Sequence, residues 1–199
     1  MSLSGLKTHG ITRETVKNFI IDAGAVYYFS DEDYNSPENW KIMGATRGGN
    51  SFTIEQEIRA MEVDGAMGKV KGMDRITNVI PTIVANFIEM SPDQFLRALP
   101  GASAVDFPNE DSTHRKITRA LEIALSDYID NIALVGRVNG STQPFVGIIK
   151  NGLAEGNMEI TTTHKDESVL AITFQGRFDP DTLEEEPWEI LYPKQGIDY

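Results

Sequence analysis

Between residues 52 and 60 the side chains alternate in character. Phe52, Ile54, Ile58 and Ala60 fall on one parity, and Thr53, Glu55, Glu57 and Arg59 on the other. Successive side chains of a strand point to opposite faces, so this spacing predicts a half-buried strand with a polar outer face. A turn-rich stretch runs from Asp64-Gly65 through Gly68 to Gly72, and the chain is apolar again from Arg75 to Met90. There Ile76, Val79, Ile80, Ile83, Val84, Phe87 and Ile88 also fit a helical stripe. Pro81 argues against a helix, since an interior proline removes a hydrogen bond at a cost of roughly 3 kcal/mol. The Ile, Val and Thr content likewise favours extended chain. Read as a strand, the segment is apolar on both parities. That predicts two covered faces, one against core and the other against a neighbouring subunit, with Ile76, Ile80, Ile83, Val84 and Phe87 as interface candidates.

The remaining elements follow from the same patterns. Ala25 to Phe29 is β-branched and aromatic, as a first strand should be, and residues 1–22 before it form a candidate arm. Asp31 to Asn50 mixes acidic residues with Pro37, Gly44, Gly48 and Gly49, and is expected to be a long surface loop with little internal support. Ser91-Pro92-Asp93 has the cap, first-turn proline and acidic residue of a helix start, and Pro100-Gly101 ends that helix after Leu99. Ile117, Arg119, Leu121, Ile123 and Leu125 alternate with Thr118, Ala120, Glu122 and Ala124, predicting a strand. Ile132 to Val138 and Phe145 to Lys150 flank Asn139-Gly140, a hairpin signal. Met158 to Thr163 and Val169 to Gln175 flank a polar turn around Lys165-Asp166, predicting a second hairpin. The segment 179–199, with Glu184, Glu185 and Glu186 between prolines, is expected to be irregular. The sum is a mainly β chain, an antiparallel β-sandwich or roll with one short flanking helix, read as one domain over 1–199.

Charge and composition narrow the function. Asp and Glu number 30 against 18 Lys and Arg, a formal net charge of -12, which argues against gripping phosphate backbones through a basic surface. The chain has no cysteine, so disulfides, thiolate metal sites and cysteine nucleophiles are excluded. Met1 to Thr12 lacks the apolar stretch of a signal peptide, and no run approaches the ~20 apolar residues of a membrane span. Synthesis and folding in a cytoplasm are expected.

Candidate chemistry is sparse. His9, His114 and His164 stand at no metal-ligand spacing with another ligand. Asp31-Glu32-Asp33-Tyr34-Asn35 opens like a calcium loop, but Ser36 stands where glycine is needed and Ile42 where a bidentate glutamate belongs. Gly65-Ala66-Met67-Gly68-Lys69-Val70 departs from a phosphate loop in its spacing and in Val70, where a hydroxyl must reach magnesium. Asn139-Gly140-Ser141 fits both a glycosylation acceptor and a tight turn. Glu55 and Glu57 are same-face carboxylates, which on an amphipathic strand ordinarily make a solvated face. No nucleophile with a nearby base stands out, so neither an enzyme nor a cofactor is expected.

Gly44-Ala45-Thr46-Arg47-Gly48-Gly49-Asn50-Ser51-Phe52, continuing through Glu55-Gln56-Glu57-Ile58-Arg59 to Val63-Asp64-Gly65-Ala66, resembles the major tail tube proteins of long-tailed, siphovirus-type bacteriophages and prophages. Gly68 to Gly72, Leu99-Pro100-Gly101-Ala102, Asp130 to Ala133 and Ala171 to Phe178 resemble that family in the same order. The resemblance implies a sandwich-like subunit without catalytic residues. Such subunits form rings, typically hexameric, that stack into the tube through which double-stranded DNA leaves the capsid. It further implies self-contacts and tail partners such as the tape measure and tail terminator, no membrane, and a place in the virion tail after synthesis in the bacterial host. An acidic wall suits a DNA conduit, because like charge keeps the duplex from adhering. Glu55 and Glu57 are the expected lumen-facing pair. Two rival classes remain. A tube subunit of a contractile or secretion machine would share the fold. A carbohydrate- or receptor-binding β module should show clustered exposed aromatics, whereas Trp40 and Trp188 lie far apart in sequence.

Overall fold

A computed structural model describes residues 9–107, 113–160, 162 and 164–194. Ten strands and one α-helix follow one another: β1 Ile20–Phe29, β2 Lys41–Ile42, β3 Ser51–Ala60, β4 Asp74–Phe87, α1 Pro92–Ala98, β5 Ala102–Phe107, β6 His114–Arg119, β7 Ile129–Val138, β8 Phe145–Glu155, β9 Leu170–Gln175 and β10 Trp188–Leu191. The fold is mainly β and antiparallel, sandwich-like, with one helix. One layer is ordered β2-β1-β7-β8, the other β8-β9-β4-β3, and β5 with β6 forms a separate two-stranded sheet.

The two layers share β8. β7 runs along one of its edges, from Gly136 opposite Phe145 to Ile129 opposite Gly152. On the other edge β10 pairs Val146 to Ile149, and β9 pairs Leu153 to Glu155. The change of partner occurs at Asn151, which adopts a left-handed φ of 49°. Its side-chain amide donates to the Arg177 carbonyl at 3.3 Å. Gly152 follows, where an added Cβ would stand 2.6 Å from Ile132 Cδ1, so a larger residue would require the buried Ile132 side chain to shift.

Between the layers lies a core of Val26, Ile132 and Ile149 from the first sheet and Ile83, Ala85, Phe87, Leu170, Ile172 and Phe174 from the second. β4 and β9 bury alternate residues, as strands with one core face should. The first sheet has a second apolar cluster on its outer face, Phe29, Ala133, Val146 and Ile148. Within the subunit two covered faces belong to β7 and β8, whereas β4 buries one face against the subunit's own core.

The cover over that outer face is the loop from Asp31 onward. Trp40 stacks on Phe29 with centroids 4.0 Å apart and planes 1° from parallel, and its indole N–H donates to the Asp33 carbonyl at 2.9 Å. Further along, Met43 is buried, its N–H donates to the Val26 carbonyl, and its carbonyl accepts from the side chain of buried Gln94 on α1. Arg47 reaches both Asp166 and Glu167 at 2.5 Å. The expectation of little internal support is thus corrected. Its aromatic and apolar residues act as plugs, a role that glycine and proline content conceals.

Ser91 caps α1 by accepting from the Gln94 N–H at 3.3 Å. Other expectations change. The strand read over Ile117 to Leu125 ends at Arg119, and Leu121 and Leu125 are 100% and 90% exposed in the loop beyond. The hairpin read over Met158 to Gln175 exists only in its second arm. β9 pairs with β8 and β4, residues 158–160 lie outside any strand, and 161 and 163 are outside the described residues. The β7–β8 hairpin read around Asn139-Gly140 is present, with a longer connection than two residues, and the Ser141 N–H donates to the Val138 carbonyl at 3.2 Å across a turn centred on Asn139 and Gly140. These two residues also hold the segment before β1, donating to the Phe19 and Lys17 carbonyls. Finally, the segment expected to be irregular from Asp179 contains β10, locked by Lys150 Nζ at 2.6 Å from Glu189 and by the Tyr34 hydroxyl donating to the same carboxylate.

Candidate self-association surface

β3 and β4 pair from Ser51 opposite Val84 to Ala60 opposite Asp74. β4 is 14 residues long and only its second half, from Pro81, buries side chains. The first half continues past the body with its partner, so that Glu55 to Arg59 on β3 and Asp74 to Asn78 on β4 are all exposed. Near the body Phe52 still closes the core, lying against Gly147 of β8. Beyond it the same face carries Ile58 and Ile76 directly opposite each other, 54% and 59% exposed.

The pairing of Ile58 with Ile76 results from a bulge. Glu57 stands opposite Asn78 and Ile58 opposite Ile76, so Thr77 is an extra residue on β4, and its hydroxyl donates to the Glu57 carbonyl at 3.1 Å. An extra residue moves every side chain beyond it to the opposite face. Ile76 shares sequence parity with Ile80 and Val84, yet the bulge turns it to the core-side face of the hairpin.

The candidate interface residues therefore separate. Ile83 and Phe87 are fully buried in the subunit's own core, which corrects their reading as contacts to a neighbour. Ile80 and Val84 are half-buried on the outer face of the second sheet, opposite Glu55 and Ser51. Ile76 is the exposed member. Glu55 and Glu57 lie with Thr53 and Arg59 on that outer face, and all four are exposed.

β3 also ends its sheet. Among the described residues only β4 pairs with it, so the other edge of a ten-residue strand offers backbone donors and acceptors without a strand partner there. At the tip Met67 is fully exposed, with Met61 and Val63 nearly half exposed beside it. These features make a protruding hairpin with one charged face, one apolar face and an open edge. Among the described residues no three His, Asp or Glu side chains gather as a metal site requires, and no helix is long and apolar enough to cross a membrane. In comparisons with known proteins, no family model matches the chain and no curated protein matches its sequence.

Proposed function

We propose that the chain is a structural, self-assembling subunit, the major tail tube protein of a long-tailed phage or prophage, whose stacked six-fold rings form a conduit for DNA. One observation carries the self-assembly: the hairpin of β3 and β4 leaves Ile58 opposite Ile76 uncovered on the face that is core nearer the body. An exposed apolar pair beside an unpaired strand edge is what a second copy of the chain can cover, by apolar contact and by backbone hydrogen bonds. The resemblance in the stretches from Gly44 to Ala66 and from Ala171 to Phe178 supports the tail tube in particular. In this reading Glu55 and Glu57 face the lumen, where they repel the duplex, and the protein resides in the virion tail.

Electron microscopy of the purified protein, with sedimentation across a range of concentration and salt, is the test. Rings or tubes are expected. A single monomeric species under every condition would end the proposal.

A further inference from the structure

A cavity of about 770 Å³ opens on the outer side of the first sheet, between the loop that covers it, the connection from β7 to β8 and the end of β10. Four aromatic residues line it: Tyr27, Tyr34, Trp40 and Tyr192. In sequence Tyr27, Tyr34 and Trp40 are near neighbours and Tyr192 is distant. The fold brings them together because Trp40 folds back onto Phe29 and β10 carries the chain to the same end of the sheet.

We propose that this cavity binds a neutral oligosaccharide. None of its twelve lining residues is charged, in a chain of which 24% of residues are. Two smaller cavities nearby are lined instead by Asp33, Lys41 and Asp130, and by Asp31, Lys150, Asp179 and Glu185. A lining without charge gives an ionic ligand nothing to exchange for its hydration, so it selects against one. The cavity is not purely apolar either. The side-chain amides of Asn35 and Gln143 and the phenols of Tyr27 and Tyr192 have no hydrogen-bond partner among the described residues. A pyranose ring presents an apolar C–H face and a rim of neutral hydroxyls. Aromatic rings flanked by unspent amides and phenols match both halves, whereas a lipid chain would leave the polar groups unpaired.

Two of the rings are already fixed. Trp40 is held by its stack and by its N–H bond to Asp33, and Tyr34 by its hydroxyl bond to Glu189. Rings fixed before binding lose little freedom on binding, which favours a weakly hydrophobic ligand such as a sugar. The volume lies in the range of small-ligand sites.

The proposal does not depend on self-assembly, and sugar binding by a monomer would leave it standing. Ligand-observed NMR with neutral trisaccharides (maltotriose, cellotriose, chitotriose), followed by an array of neutral glycans, tests it on the whole chain, with sialyllactose as the charged control. At least one neutral sugar should bind and sialyllactose should not. Tyr192→Ala and Gln143→Ala, both at exposed positions, should each keep the native circular dichroism and weaken binding roughly tenfold, the scale of one lost contact. Absence of any neutral ligand, or unchanged affinity in both variants, overturns the proposal. So does Tyr192→Ala that alters the sedimentation mass and leaves sugar binding intact, because the cavity would then be a contact between proteins.

Discussion

Ile58 on β3 stands opposite Ile76 on β4, both more than half exposed, because Thr77 is one residue more than the pairing needs. Substituting Ile58→Asp or Ile76→Asp removes no core contact, so subunit stability should stay within about 0.5 kcal/mol of the parent. Self-association should fall sharply in both. Denaturant unfolding and sedimentation, measured on the same samples, check the two halves. A large loss of stability would show that the pair is core, and unchanged association that it is not the contact.

The carboxylates on the opposite face call for a charge reversal. With Glu55→Lys and Glu57→Lys together, the protein should fold, since both side chains are exposed. Assembled tubes should then retain DNA at low salt and release it as salt rises, because the wall has become attractive to phosphate. Negligible retention by mutant and parent tubes alike would put these residues away from the lumen.

Trp40 offers a test of the loop. Its ring is only partly exposed and stacks on buried Phe29, so Trp40→Ala should cost about 2–3 kcal/mol, somewhat less than truncating a fully buried tryptophan. Amide exchange should quicken from Asp31 to Met43 and stay unchanged in β4 and β9. Uniform loss of protection would mean that the loop does not open separately.

The contact of Tyr34, Glu189 and Lys150 predicts a pH dependence at both extremes. Burial pushes the Glu189 carboxyl up, but the Lys150 ammonium and the Tyr34 hydroxyl outweigh it and hold it below the ordinary carboxylate value. Its contribution is therefore full above the unfolded carboxylate pKa and is lost as pH falls through the lower folded value. Burial and the bond to Glu189 push the Tyr34 phenol up to about 12 from 10.0. Its contribution is full below pH 10 and fades as pH rises towards 12. Glu189→Gln should flatten the acid limb of the stability curve and Tyr34→Phe the alkaline limb. Parallel curves for parent and variants at either extreme would contradict this.

The sequence exposed the repeating parts of this fold and concealed its exceptions. Period-two alternation marked β3, and Ser91-Pro92 marked α1, because both signals are local. The same alternation misled from Ile117 to Leu125, where the apolar members beyond Arg119 face solvent. Thr77 looks like any strand residue, so nothing in the chain announces that Ile76 has changed face. β10 is four residues among prolines and glutamates, and it is a strand only because β8 has an open edge to receive it. Tertiary structure alone brings the cavity aromatics Tyr27, Tyr34 and Trp40 together with the distant Tyr192.

The order of synthesis gives the shared strand a further meaning. β8 is made well before β10, so the edge from Val146 to Ile149 waits for a partner that lies some forty residues downstream. At roughly 5–20 residues per second that interval lasts about 2–8 s. During it this edge stands open alongside that of β3. Either could pair with a neighbouring nascent chain before the subunit has closed. Arrival of Trp188 to Leu191 covers the first and leaves that of β3 open.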